Sequence, residues 1–126
     1  MTRTSKDIFI KGITIDIAKT AVLKWASENK VKVLINTPDY VYGQWGLGIF
    51  TGSKHFEITL LSNDTGVIAK TQGWVLGVTG LPMAAPIYLP ETDFNSSFLS
   101  YGGIPRKEGM KAIKRLWSTL EALSKT

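Results

Sequence analysis

The stretch His55-Phe56-Glu57-Ile58-Thr59-Leu60-Leu61, continued by Ser62-Asn63-Asp64-Thr65-Gly66 and then Val67 to Leu76, decides the fold. Phe56, Ile58 and Leu60 alternate with His55, Glu57 and Thr59, a period of two that sends one set of side chains into a core and the other to the opposite face of a strand. Asn63 and Asp64 favour turn conformations and Gly66 is free to take a positive φ, so the chain reverses there and Val67 to Leu76 returns as the antiparallel partner. A lone hairpin is marginal in water. Flanking segments must therefore supply further strands and a layer over the apolar face.

Upstream, Val41, Trp45, Leu47 and Ile49 share one parity, with Tyr42, Gln44 and Phe50 on the other. Gly43, Gly46 and Gly48 interrupt this pattern and mark bulges, so a bent strand is expected, turning through Thr51-Gly52-Ser53 into the hairpin. Val31, Val33 and Ile35 form an earlier strand closed by Asn36-Thr37-Pro38-Asp39. Before it, Ala18, Ala21, Val22 and Trp25 recur at i, i+3, i+4 and i+7, the stripe of an amphipathic helix that Thr14 caps, Asp16 favours through the dipole and Asn29 stops. Ile8, Phe9 and Ile10, ended by Lys11-Gly12, read as the first strand.

Downstream, no charged residue occurs from Thr71 to Pro90. A membrane span is rejected, because Pro82, Pro86 and Pro90 with Gly73, Gly77 and Gly80 would break a helix repeatedly. Gly102-Gly103-Ile104-Pro105 announces the last helix, with Pro105 at its first position and Ile113, Leu116, Trp117, Leu120 and Leu123 on one face. Residues 77 to 104 remain a long irregular or partly extended insertion. The fold class is thus α+β: a strand, a helix, four to six antiparallel strands and a helix, with a curved sheet packed against the long C-terminal helix.

A chain of 126 residues, 44% hydrophobic and 20% charged, fits a single domain spanning 1–126. Zero cysteines exclude disulfides, thiolate metal sites and cysteine nucleophiles, and favour a reducing compartment. No apolar run follows the charged N-terminus, so a cytoplasmic location is expected. The formal charge of +5 and isoelectric point near 9.5 favour anionic partners.

Few residues have the pattern of a reaction centre. His55 is the one histidine, so neither a two-histidine metal site nor an imidazole relay can form, and its strand parity gives it a surface role. No G-x-S-x-G elbow, phosphate loop or G-x-G-x-x-G is present. Glu91 and Asp93 follow the uncharged stretch, but a solvated loop explains them. Arg106 and Lys107 sit in the first turn of a helix whose dipole is already positive there, which makes Gly103, Arg106 and Lys107 a candidate anion site, with Glu108 and solvent screening as the plainer compensation. Trp25 and Trp117 belong to the core. Trp45 and Trp74 line a pocket or, with Tyr40 and Tyr42, offer a stacking platform; the pocket is preferred because cations are not interleaved with them.

The order strand, helix, four strands, helix resembles that shared by helix-grip ligand carriers and the TATA-binding saddle, a resemblance of element order that covers the chain loosely. Fold alone does not carry function. The leading expectation is a non-enzymatic pocket for an apolar or amphipathic anionic ligand, with Trp45, Trp74, Leu81, Met83, Ile87 and Tyr88 as walls and lid, and Arg106 or Lys107 on the head group. No cofactor or metal is expected. The alternatives are a nucleic-acid-binding helix face of Lys107, Lys111, Lys114 and Arg115, and a homo-oligomer or interaction subunit joined through residues 77–104. Enzyme activity is disfavoured by the missing cysteines and solitary histidine.

Overall fold

A computed structural model describes residues 3–48, 52–76, 78–79, 87–88, 93–94 and 103–124. The elements run β1 (Thr4–Lys11), α1 (Ile15–Glu28), β2 (Lys32–Thr37), β3 (Tyr40–Gly48), β4 (Gly52–Asn63), β5 (Gly66–Leu76), β6 (Val78–Thr79), β7 (Ile87–Tyr88) and α2 (Gly103–Glu121). The expected α+β order holds. Five strands form one open antiparallel sheet in the order β1-β5-β4-β3-β2, and β6 pairs with β7 separately. Among the described residues of the 77–104 insertion, Val78–Thr79 and Ile87–Tyr88 form this short hairpin, and α2 begins at Gly103, two residues before Pro105.

The central hairpin forms as its turn chemistry dictates. Asn63 Oδ1 accepts from the backbone N–H groups of Thr65 and Gly66, both at 2.9 Å, and locks the reversal. Thr14 caps α1 by accepting from the Ile17 N–H, and Asn29 is its C-cap. Two irregularities bend the sheet's far side: the β2 register slips between Val33 and Ile35, and that of β3 against β4 slips between Trp45 and Gly48, with Gly46 at a φ of 83°. The first slip separates Val33 and Ile35, which strict alternation places together. Val33 pairs with Gly43 on the helix side and Ile35 with Tyr42 on the other.

Both helices cover one face. Ala18, Val22, Trp25 and Ala26 of α1 and Ala112, Ile113, Leu116 and Leu120 of α2 meet Ile8, Ile10, Val41, Phe56, Ile58, Leu60, Val67, Ala69 and Val75 of the sheet. Each valine, leucine, isoleucine or phenylalanine so buried contributes roughly 1.5–3 kcal/mol. Trp25 and Trp117 tie the layers with their indole N–H groups. Trp25 donates to the Ala112 carbonyl at 2.8 Å, and Trp117 to Thr71 Oγ1 at 2.8 Å, which in turn donates to the Lys6 carbonyl. Among the described residues no helix is long and apolar enough to cross a membrane.

Candidate functional site

With the helices on one face, the other face of the sheet carries the residues of opposite parity. Trp74, His55, Gln44 and Lys32 are successive cross-strand neighbours from β5 to β2, and Gln72, Glu57, Tyr42 and Ile35 form the next row. The Arg3 guanidinium lies 3.7 Å from the Trp74 ring centroid and donates to Gln72 Oε1 at 3.0 Å. One cation, Arg3, thus stacks on an aromatic of this face, where the sequence showed none beside Trp74. Arg3 is 71 residues from Trp74 and reaches it only because β1 pairs with β5.

His55 takes the parity expected of it but is not a surface residue, being 6% exposed. Its ring is near-parallel to those of Tyr42 and Trp74, at 5.9 and 5.5 Å. Ser53 Oγ lies 3.2 Å from the Leu76 carbonyl and 2.7 Å from His55 Nε2. A hydroxyl has one proton and a carbonyl only accepts, so Ser53 donates to Leu76 and accepts from Nε2–H. Nδ1 then accepts from the Tyr42 hydroxyl at 2.6 Å. A serine nucleophile would instead donate to its imidazole base. Serine and histidine here belong to a directed hydrogen-bond chain that ends on the backbone.

Beside this chain, Tyr40 donates to Glu57 Oε2 at 2.7 Å. Burial, with that hydrogen bond and the carboxylate's charge, pushes the Tyr40 phenol up to about 12. Burial also raises Tyr42, with Arg3 opposing and Glu57 adding to the shift. Both phenols are protonated at neutral pH and serve as donors.

At the β2 edge of the same face is an open cleft of about 250 Å³ lined by Lys30, Lys32, Leu34, Gln44 and Gly46. The sequence reading did not single it out. Lys30 has a φ of 61°, the left-handed region. It occupies the position after the α1 C-cap, where the Val31 N–H donates to the Ala26 carbonyl at 2.9 Å and closes a Schellman turn that ordinarily takes glycine. A lysine is held there at a cost of about 1 kcal/mol, and no glycine or asparagine at position 30 signals the left-handed turn in the sequence.

The expected pocket walls separate. Trp45 packs on the helix side, with Lys54 Nζ 4.1 Å from its ring centroid, whereas Trp74 is on the opposite face. One pocket walled by both does not form. Ile87 and Tyr88 are paired in β7, while Leu81, Met83, Glu91 and the Arg106 side chain lie outside the described residues. Gly103 opens α2 and Lys107 is exposed. Lys111, Lys114 and Arg115 are exposed together on the outside of α2. Among the described residues no group of three or more acidic or histidine side chains could hold a metal ion. No protein-family model, no curated protein and no solved structure matches this chain.

Proposed function

We propose that the chain is a non-enzymatic binding domain for an amphipathic anion, seated in the cleft at the β2 edge of the sheet face opposite α1 and α2. The observation that carries this reading is Lys30, which holds a backbone conformation suited to glycine while lining that cleft with Lys32. Two ammonium groups and the Gln44 amide offer donors to a carboxylate, sulfonate or phosphate head. Leu34, 48% exposed, and Ile35, 45% exposed, give the adjoining bulge an apolar surface for the rest of the molecule. A mainly apolar wall with a few convergent polar groups is the usual composition of a small-molecule site.

This reading keeps the ligand class expected from the sequence and places its site away from the tryptophans. The test uses 8-anilinonaphthalene-1-sulfonate as a fluorescent amphipathic anion and dodecanoate as its competitor. Saturable binding, displaced by dodecanoate and weakened at least tenfold in Lys30→Gly/Lys32→Gln, is the expected result. Equal affinity for the probe in wild type and the double variant would overturn it.

A further inference from the structure

α2 contains five cations, Arg106, Lys107, Lys111, Lys114 and Arg115, against Glu108 and Glu121, a net +3 within a chain of +5. The two carboxylates are turned toward the sheet. Glu108 pairs with Lys54 at 3.4 Å and Glu121 with Lys6 at 3.7 Å. Lys107, Lys111 and Lys114 recur at i, i+4 and i+7, within one narrow stripe, and all three are exposed. Among the described residues none of the three has a carboxylate partner. Ile113, Leu116 and Leu120 occupy the other side of the helix and are fully buried.

The stripe runs into an open cleft of about 560 Å³ between α2 and the end of α1, lined by Trp25, Glu28, Asn29, Lys114, Arg115, Ser118 and Thr119. Arg115 donates to Asn29 Oδ1 at 3.0 Å and is thereby held at the rim. Apart from Glu28, the polar groups here are hydrogen-bond donors or neutral hydroxyls and amides. The line from Lys107 to Lys114 rises roughly 10 Å along a straight helix, long enough to meet more than one phosphate of a nucleic-acid backbone.

We infer that this outer face of α2 docks on the phosphate backbone of duplex nucleic acid without reading its sequence. Charge complementarity selects the partner's sign, and the composition of the stripe selects its class. Single strands are held largely by stacking on aromatic rings, and the stripe has none. Insertion at a membrane surface needs an apolar face, and that of α2 is already spent on the core. Lysines on a rigid rod act as point charges toward phosphates, which positions a protein on a duplex but carries no base information. The inference does not depend on the ligand cleft, which lies on the other side of the sheet.

Fluorescence anisotropy with a labelled 20-base-pair duplex, titrated between 50 and 200 mM salt, tests it. Binding in the micromolar range at the lowest salt is expected, with log K falling against log salt at a slope of about −3 for three contacted phosphates. Two unrelated duplex sequences should bind within twofold of one another. Lys107→Gln/Lys111→Gln/Lys114→Gln should abolish binding while leaving the thermal transition unchanged, and Lys70→Gln on the opposite sheet face should have no effect. Absence of duplex binding at 50 mM salt overturns the inference, as does a triple variant that binds like wild type. Binding to phosphatidylglycerol vesicles without binding to duplex overturns it equally.

Discussion

The His55 imidazole and the Trp74 indole, partners in register across β4 and β5, stack with centroids 5.5 Å apart and planes 10° from parallel, and each is 6% exposed. Such stacking fixes the ring plane, and the hydrogen bonds on either side fix which nitrogen carries the proton. His55 is expected as the Nε2–H tautomer, which nitrogen chemical shifts would report. Tyr42→Phe removes the donor to Nδ1 from a buried ring, at a cost of about 1–2 kcal/mol in urea denaturation. A Tyr42→Phe protein as stable as wild type would show that the Tyr42 hydroxyl does not serve Nδ1.

Tyr40 supplies a pH dependence of determined sign. Its phenol ionises near 10 when unfolded and near 12 in the fold, so the native state holds the proton more tightly. The associated stability is fully present below pH 10 and is lost as pH rises from there through about 12. Unfolding free energy followed by urea titration should fall across that window, and Tyr40→Phe should flatten the fall. Absorbance at 295 nm should place the tyrosinate transition of Tyr40 above that of an exposed phenol.

The sheet, both helices and the central turn were legible because each has a local cause: the two-residue alternation through Phe56, Ile58 and Leu60, the cap at Thr14, the side chain of Asn63. What stayed hidden depends on register and strand order. Nothing near Trp74 in sequence announces Arg3, which arrives with the edge strand β1. Slippage at Leu34 turns Ile35 away from Val33, so counting parity misassigns its face. Burial of Lys54 also contradicts the ordinary expectation for a charge, and rests on Trp45 and Glu108, the second of them 54 residues away. The left-handed turn at Lys30 left no trace in side-chain chemistry, since lysine is a poor residue for it.

Lys54 is 4% exposed, and its ammonium is compensated by the Trp45 ring and by Glu108 Oε1 at 3.4 Å. Removing the carboxylate leaves a buried charge with only the ring for a partner. Because the Glu108 side chain is 44% exposed and water screens the pair, Glu108→Gln should cost about 1–2 kcal/mol, below the figure for a fully buried pair. Lys54→Met/Glu108→Gln should recover most of that loss. A double variant less stable than Glu108→Gln alone would show that the ammonium is not the source of the penalty.

Phe94 is clamped between the sheet and α2. A Cβ built on Gly73 would stand 2.3 Å from Phe94 Cε2, and one on Gly109 would stand 2.3 Å from Phe94 Cε1. The ring is 4% exposed and its backbone N–H donates to Thr4 Oγ1 at 2.8 Å, so it has little room to retreat. Gly73→Ala should cost about 1–3 kcal/mol by overpacking. Gly109→Ala gains about 1 kcal/mol of helix propensity and should still destabilise. Phe94→Leu combined with Gly109→Ala should cost less than the two changes summed, the coupling being read from a double-mutant cycle.

Lys30 separates a functional role from a structural one because the two predict opposite signs. At a φ of 61° an L side chain is strained and glycine is not, so Lys30→Gly should raise stability by about 0.5–1 kcal/mol despite the added freedom of the unfolded chain. If the ammonium is there to meet an anion in the cleft with Lys32, the same substitution should weaken 8-anilinonaphthalene-1-sulfonate binding severalfold. A more stable protein that binds less tightly is the pattern of a position kept for its ligand at the fold's expense. Lys30→Asn provides the control, since asparagine tolerates the left-handed region but lacks the charge: it should match glycine in binding and fall between lysine and glycine in stability. Stability gained with binding unchanged would assign the strained turn to the α1–β2 connection alone and remove Lys30 from the site.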